Sequence, residues 1–268
     1  MSNDLSNNNS ISSNKIKVFF ATPCFGAQVS CNYTHSLIQT IKLLSNHNID
    51  SVYAFLPNQI VTRARNLLTH MFLKTDATHL FFIDADIQFR PEDVLEMIHN
   101  NKSICVGLYA NKDYIVNSNH DTNDANDAND ANSDFFFKCI QYSSTFEQNI
   151  NSLVNNKLIK IKHGATGFMI IERDVLIHLK NIVKSYIHND ETVHAFFNCE
   201  VHNNTYLTED YYFCQLWKNY CHDYNLQNPN SMLDDSIWAD LSICLNHEGW
   251  HSYKGNPFKT FSLVSNEK

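Results

Sequence analysis

The chain has 268 residues, enough for one large α/β domain or two small ones. Hydrophobic residues make up 43%, with 18 Phe and 12 Tyr, so a sizeable core can form. The formal net charge of -8 argues against a nucleic-acid or anionic-membrane partner, and no apolar run approaches a membrane span. Met1 to Asn14 is polar and reads as a disordered tail, without the basic start and apolar stretch of a secretory signal. The eight cysteines form no C-x-x-C pair and lack zinc-ligand spacing. Reduced thiols in a cytoplasmic protein are the expectation.

In chain order, Lys17 to Ala21 reads as a first strand, bounded by Thr22-Pro23. Thr34 to Asn46 reads as a helix with Leu37, Ile38, Ile41 and Leu44 on one face. A second strand spans Ser51 to Leu56. A second helix spans Thr62 to Lys74, with Ala64, Leu67, Leu68, Met71 and Phe72 inward. The run Leu80 to Ile87 reads as a buried strand carrying Asp84 and Asp86. Pro91 opens a third helix with Glu92 and Asp93 in its first turn, and Ser103 to Leu108 is another strand. This β-α-β-α-β-α-β alternation predicts an α/β fold, a mixed but mostly parallel sheet flanked by helices in a single domain. Ligands of such sheets bind at the carboxyl ends of strands, where Thr22-Pro23, Asp84 and Asp86 fall.

The pattern stops between about 113 and 134, where Asn123-Asp124-Ala125 opens three consecutive Asn-Asp-Ala triplets. Nothing there can be buried, so it reads as a flexible surface insertion. Order resumes at Phe135. His163 to Ile171 reads as a glycine-containing loop running into a strand, with a helix from Arg173. Thr208 to Asp223 is a strong helix, with Thr208 as N-cap and Phe213, Leu216, Trp217 and Tyr220 on its apolar face. Ile237-Trp238 and Leu241 to Leu245 read as short strands leading to Asn246-His247-Glu248-Gly249. The domain would span 15–258, between tails at 1–14 and 259–268.

Asp84-Ala85-Asp86 is the most informative element. Alternate side chains of a strand share one face, so the two carboxylates would project together. Held that close they repel unless a cation intervenes: the pair is either the polar turn in which a strand simply ends or the site of a divalent ion carrying a phosphate-bearing ligand. Glu209-Asp210 at a helix start either compensates the dipole or supplies a general base, and periodicity does not decide which residue points inward. Arg63-Ala64-Arg65-Asn66 is either a solvated helix face or a means to attract phosphate or hold an acidic residue. His247, one of 14 histidines, follows a strand late in the chain and is either a surface or packing residue or the completion of a metal site opened by Asp86, with His251 as the nearby competitor. Gly164 and Gly167 mark either a tight turn or a close approach to a ligand. No G-x-G-x-x-G, P-loop or G-x-S-x-G motif is present, which removes the dinucleotide, NTPase and α/β-hydrolase readings.

Taken in order, Ala21-Thr22-Pro23-Cys24-Phe25-Gly26, Val61–Asn66, Phe82–Asp86, Val106-Gly107-Leu108-Tyr109 with Lys112, Gly164–Phe168, Thr208–Cys214 and Leu245–Gly249 resemble the GT-A fold glycosyltransferases of the family-2-like group. The resemblance covers about residues 16 to 256. It implies a nucleotide-sugar donor, most often a UDP-sugar, with Mn²⁺ or Mg²⁺. Asp86 would match the metal-binding end of the DxD motif, Asp84 its first acid near ribose or metal with Ala85 between them, and His247 the late metal-binding histidine. Thr22 and Pro23 match the loop that cups the base, and Arg63 and Asn66 the segment lining the nucleotide pocket. Gly164 to Phe168 would line the sugar or acceptor site. Glu209 and Asp210 match the pair whose Asp is the usual base of inverting members; a retaining enzyme would not need it. The acceptor, whether glycan, protein or small molecule, is not implied. A sugar-1-phosphate nucleotidyltransferase is the competing enzyme class, and its Gly-rich basic loop is missing from Ala21 to Ser30. A non-catalytic nucleotide-sugar binder of the same fold is the competing non-enzyme.

Overall fold

The computed structural model describes residues 15–114, 140–146, 156–249 and 252–258. Both expected tails and all but the first two residues of the expected insertion lie outside them.

The amino-terminal half runs β1 (Lys17–Cys24), α1 (Cys31–Asn46), β2 (Asp50–Pro57), α2 (Val61–Leu73), β3 (His79–Ile83), β4 (Ile87–Gln88), α3 (Pro91–His99), β5 (Ile104–Gly107) and β6 (Ala110–Tyr114). Then come β7 (Ile140–Tyr142), β8 (Thr145–Phe146), β9 (Leu158–His163), β10 (Phe168–Glu172) and α4 (Arg173–Leu179). Two hairpins follow, β11 (Ser185–His188) with β12 (Glu191–His194), and β13 (Glu200–His202) with β14 (Thr205–Leu207). The chain closes with α5 (Glu209–Gln227), β15 (Ile237–Asp240), β16 (Asn246–Glu248) and β17 (Ser252–Lys254).

The main sheet has eight strands in the order β2-β1-β3-β10-β5-β15-β9-β8. Only β10 and β9 run against the rest, so the sheet is mixed with most strands pointing one way. This is the expected α/β architecture. Its inner strands β1, β3, β10 and β5 are apolar on both faces because both faces are covered, whereas β2 and β9 keep exposed positions. Phe19 and Ala21 of β1 and Leu80 and Phe82 of β3 enter one core layer with residues of α2, α4 and α5. Val18, Phe20, Phe81 and Ile83 enter the other with α1 and α3. Among the described residues no helix is long and apolar enough to cross a membrane.

Local chemistry sets the helix starts. Ser30 caps α1 by accepting the Tyr33 N–H at 2.9 Å. Pro91 occupies the first turn of α3, and the Asp93 carboxylate accepts the Arg90 N–H at 3.1 Å. Thr208 precedes α5 as expected, but its hydroxyl donates to Asp210 rather than accepting from the helix backbone.

Four expectations need correction. The Asp-bearing strand ends at Ile83, and Asp84 to Ile87 form a turn. The small Ala85 between two carboxylates suits a turn better than a ladder. Leu241 to Leu245 is not a strand; Leu241, Ile243 and Leu245 are buried from an irregular segment. Ile38 and Met71 face outward, 49% and 41% exposed. Their places in the buried helix faces are taken by residues such as Ser36 and Thr40 in α1 and Arg65, Asn66 and Thr69 in α2, whose polar groups find partners inside.

Candidate active site

The turn after β3 is fixed by its backbone. The Ile87 N–H donates to Asp84 O at 3.1 Å and closes it. Three other segments grip it: Asp84 N–H donates to Gly167 O at 3.0 Å, Ser30 N–H to Ala85 O at 2.8 Å, and Glu248 N–H to Asp86 O at 2.8 Å. The late histidine arrives through a small three-stranded sheet, β17-β16-β4, in which His247 lies opposite Ile87. Thus sequence-distant residues meet because the first-strand loop, the β9–β10 loop and β16 all bond to the same turn.

The turn faces a cleft of about 1010 Å³. Pro23, Phe25, Val29, Ile60 and Val61 give it an apolar side. Phe25 and Ile60 are 93% and 76% exposed. Together they form an apolar rim that a bound group could cover. The other side carries Asp84, Ala85, Asp86, His247 and Glu248. No Lys or Arg is among the described residues lining the cleft.

The two aspartates have different partners. Asp86 Oδ2 lies 3.6 Å from His247 Nε2 and accepts a hydrogen bond from Lys112. Burial pushes the Asp86 carboxyl up, but His247 and Lys112 outweigh it and hold the pKa below its ordinary value. Asp84 Oδ1 instead accepts from Arg65 Nη2 at 3.2 Å. The same guanidinium donates through Nε to Glu209 Oε1 at 3.3 Å. Arg65 is only 5% exposed along its side chain and stands over the Phe82 ring at 5.4 Å. Burial opposes its charge, but Asp84 and then Glu209 overcome this and push its pKa up.

The cleft residues fit a divalent cation of the Mn²⁺ or Mg²⁺ kind. His247 Nδ1 is 2.8 Å from Ala110 O, a carbonyl that only accepts, so Nδ1 carries the hydrogen. With a cation seated between them, Nε2 would offer its lone pair to the ion alongside the Asp86 carboxylate, the arrangement of a histidine ligand oriented by an outer partner. Two ligands each about 2.1 Å from one ion stand roughly 3–4 Å apart, which the 3.6 Å separation satisfies. No cluster of three or more His, Cys, Asp or Glu able to hold a metal occurs among the described residues. Two protein ligands suit an ion that takes its remaining ligands from phosphate and water, and do not suit a closed zinc site.

Pro23, Asp84, Ala85, Asp86 and His247 line the cleft; Thr22, Arg63, Asn66, Gly164, Gly167, Glu209 and Asp210 do not. The buried Thr22 hydroxyl pairs with the Tyr33 hydroxyl at 2.5 Å. Arg63 faces β11, with Nη2 3.1 Å from His188 Nδ1. Asn66 exchanges two 2.8 Å hydrogen bonds with the backbone of Phe197. A Cβ on Gly164 would meet Val106 at 2.7 Å, and one on Gly167 would meet the Tyr109 hydroxyl at 2.5 Å. Both glycines therefore serve close packing. Asp210 sits at the start of α5, where Oδ1 accepts from the Thr208 hydroxyl and, at 2.9 Å, from the Tyr211 N–H.

The residue that sequence reasoning underweighted is Arg65. It shares the buried stripe of α2 with Leu68, Thr69 and Phe72, at spacings of three, four and seven. That spacing was a readable signal that Arg65 points in. Lys112 and Glu248 had no such signal, because loop pairing brings them to the turn.

No protein-family model matches the chain, and none of the curated proteins matches it. Among solved structures, the crystal structure of A197 from STIV is similar at 16% identity and a TM-score of 0.46, over 91% of each chain. A putative glucose-1-phosphate thymidylyltransferase from Bacillus anthracis, in complex with a sucrose, is similar at 10% identity and a TM-score of 0.32, over 63% of this chain and 76% of that one.

Proposed function

We propose that this chain is a metal-dependent glycosyltransferase of the GT-A kind, moving a sugar from a nucleotide donor, foremost a UDP-sugar, to an acceptor hydroxyl. The observation that carries this reading is the composition of the cleft: Asp84, Asp86, Glu248 and the His247 imidazole, with no Lys or Arg in its described lining. Lys112 reaches the edge of this cleft but is paired with Asp86, so an anionic diphosphate entering it calls for a further cation. Asp86 and His247 are the residues that would hold it. When bound, the ion supplies charge neutralisation for the departing diphosphate.

The chain's own groups divide the remaining work. Pro23, Phe25 and Ile60 offer the planar base an apolar wall. Asp84, pinned through Oδ1 by Arg65, is a fixed acceptor for donor hydroxyls. Asp210 takes the proton from the acceptor hydroxyl as that oxygen attacks the anomeric carbon. The Thr208 hydroxyl and the Tyr211 N–H both hold Oδ1, which leaves Oδ2 for that proton. Attack opposite the leaving group inverts the anomeric configuration.

The test is UDP release across a panel of UDP-sugars with Mn²⁺, with Asp210→Asn beside the parent. Metal-dependent release that Asp210→Asn abolishes is expected. UDP binding without turnover on any acceptor would favour a binding protein instead. Pyrophosphate formed from a nucleoside triphosphate and a sugar 1-phosphate would favour a nucleotidyltransferase.

A further inference from the structure

Arg65 reaches both acidic motifs at once, and neither its burial nor its bonding suits a surface charge. Nε holds Glu209 at the start of α5, and Nη2 holds Asp84 in the cleft turn. Asp210 is close enough to act on the same charge. The third nitrogen, Nη1, is buried with no hydrogen-bond partner among the described residues, which is a cost to the fold. We propose that Arg65 is a positioning residue that locks the Asp84–Asp86 turn to the first turn of α5. The cleft and the Glu209-Asp210 pair then keep one fixed separation. The consequence for sugar transfer rests on the transferase reading; the mechanical coupling does not.

A planar fork is needed for this. Guanidinium nitrogens point in two fixed directions, whereas an ammonium is one point charge on a flexible stem. Arg65→Lys therefore keeps the charge and loses one arm. Misplacing a proton acceptor relative to a bound donor costs turnover more than donor affinity.

Two readouts test the coupling. The first is amide hydrogen exchange, which needs no substrate. Glu209→Gln should change exchange at residues 84–87 severalfold, although it alters α5 and not the turn. In an Arg65→Lys background the same substitution should leave 84–87 unmoved. The second is kinetic: Arg65→Lys should lower kcat roughly 10- to 100-fold with the donor KM little changed. Adding Glu209→Gln should cost little more. Exchange at 84–87 that ignores Glu209→Gln overturns the proposal. A raised KM with unchanged kcat also overturns it, since Arg65 would then be a donor ligand. Coupled exchange in a protein that transfers no sugar would sink the transferase reading and leave the coupling standing.

Discussion

Asp84 and Asp86 stand two residues apart in one turn, yet they belong to different regions. On the inner side, Asp84 is tied to a guanidinium that is almost wholly buried, and through it to Glu209. On the outer side, Asp86 is 40% exposed and meets Lys112 and His247 at the open cleft. A buried charge is held by fixed partners, because losing one leaves the other uncompensated. A half-exposed carboxylate is solvated and can exchange a lysine for a metal ion at little cost. The same residue type is thus held by a buried partner in one place and left open to exchange at the cleft in the other.

Substitutions that strike one side alone probe this contrast. The largest effect on folding is expected at Arg65→Met, which leaves Asp84 and Glu209 without their shared cation. A loss of about 3 kcal/mol is expected in chemical denaturation. A variant as stable as the parent would remove the distinction between the two sides. Asp86→Ala should leave the denaturation midpoint nearly unmoved while weakening Mn²⁺ binding at least about 100-fold, read by titration with nucleotide present. Gly167→Ala should cost about 2 kcal/mol, because the new methyl meets Tyr109 beside the carbonyl that holds the Asp84 N–H. Lys112→Met is the mildest: below about 1 kcal/mol once solvent screening is counted, with Mn²⁺ bound more tightly because a competitor for Asp86 is gone.

Much of the fold was legible in the sequence. Strands covered on both faces must be apolar throughout, so Val-Phe-Phe in β1 and Leu-Phe-Phe-Ile in β3 announced themselves. The α2 and α5 helices announced themselves through their apolar spacing. The insertion of antiparallel β10 between β3 and β5 did not, because four apolar residues do not name their neighbours or direction. Alternating Leu241, Ile243 and Leu245 imitated a strand while the backbone turned elsewhere. For the site, the order of motifs brought out Asp84, Asp86 and His247, and the structure brings Asp86 and His247 together. Their geometry came from loops bonding to one turn, and loop pairing leaves no periodic trace in sequence. Within Arg63-Ala64-Arg65-Asn66 the family likeness drew attention to Arg63 and Asn66. Helical spacing favoured Arg65, the one residue of the four that bonds to Asp84 and Glu209.

The proposed transfer requires that the cleft take a divalent cation and a nucleotide diphosphate together, at Asp86 and His247. Mn²⁺ binding followed by electron paramagnetic resonance, with and without UDP, tests it most directly. Weak binding of Mn²⁺ alone is expected, with clear tightening when UDP is added and loss of that tightening in both Asp86→Ala and His247→Ala. Mn²⁺ binding that is indifferent to UDP, or that survives both substitutions, would contradict it.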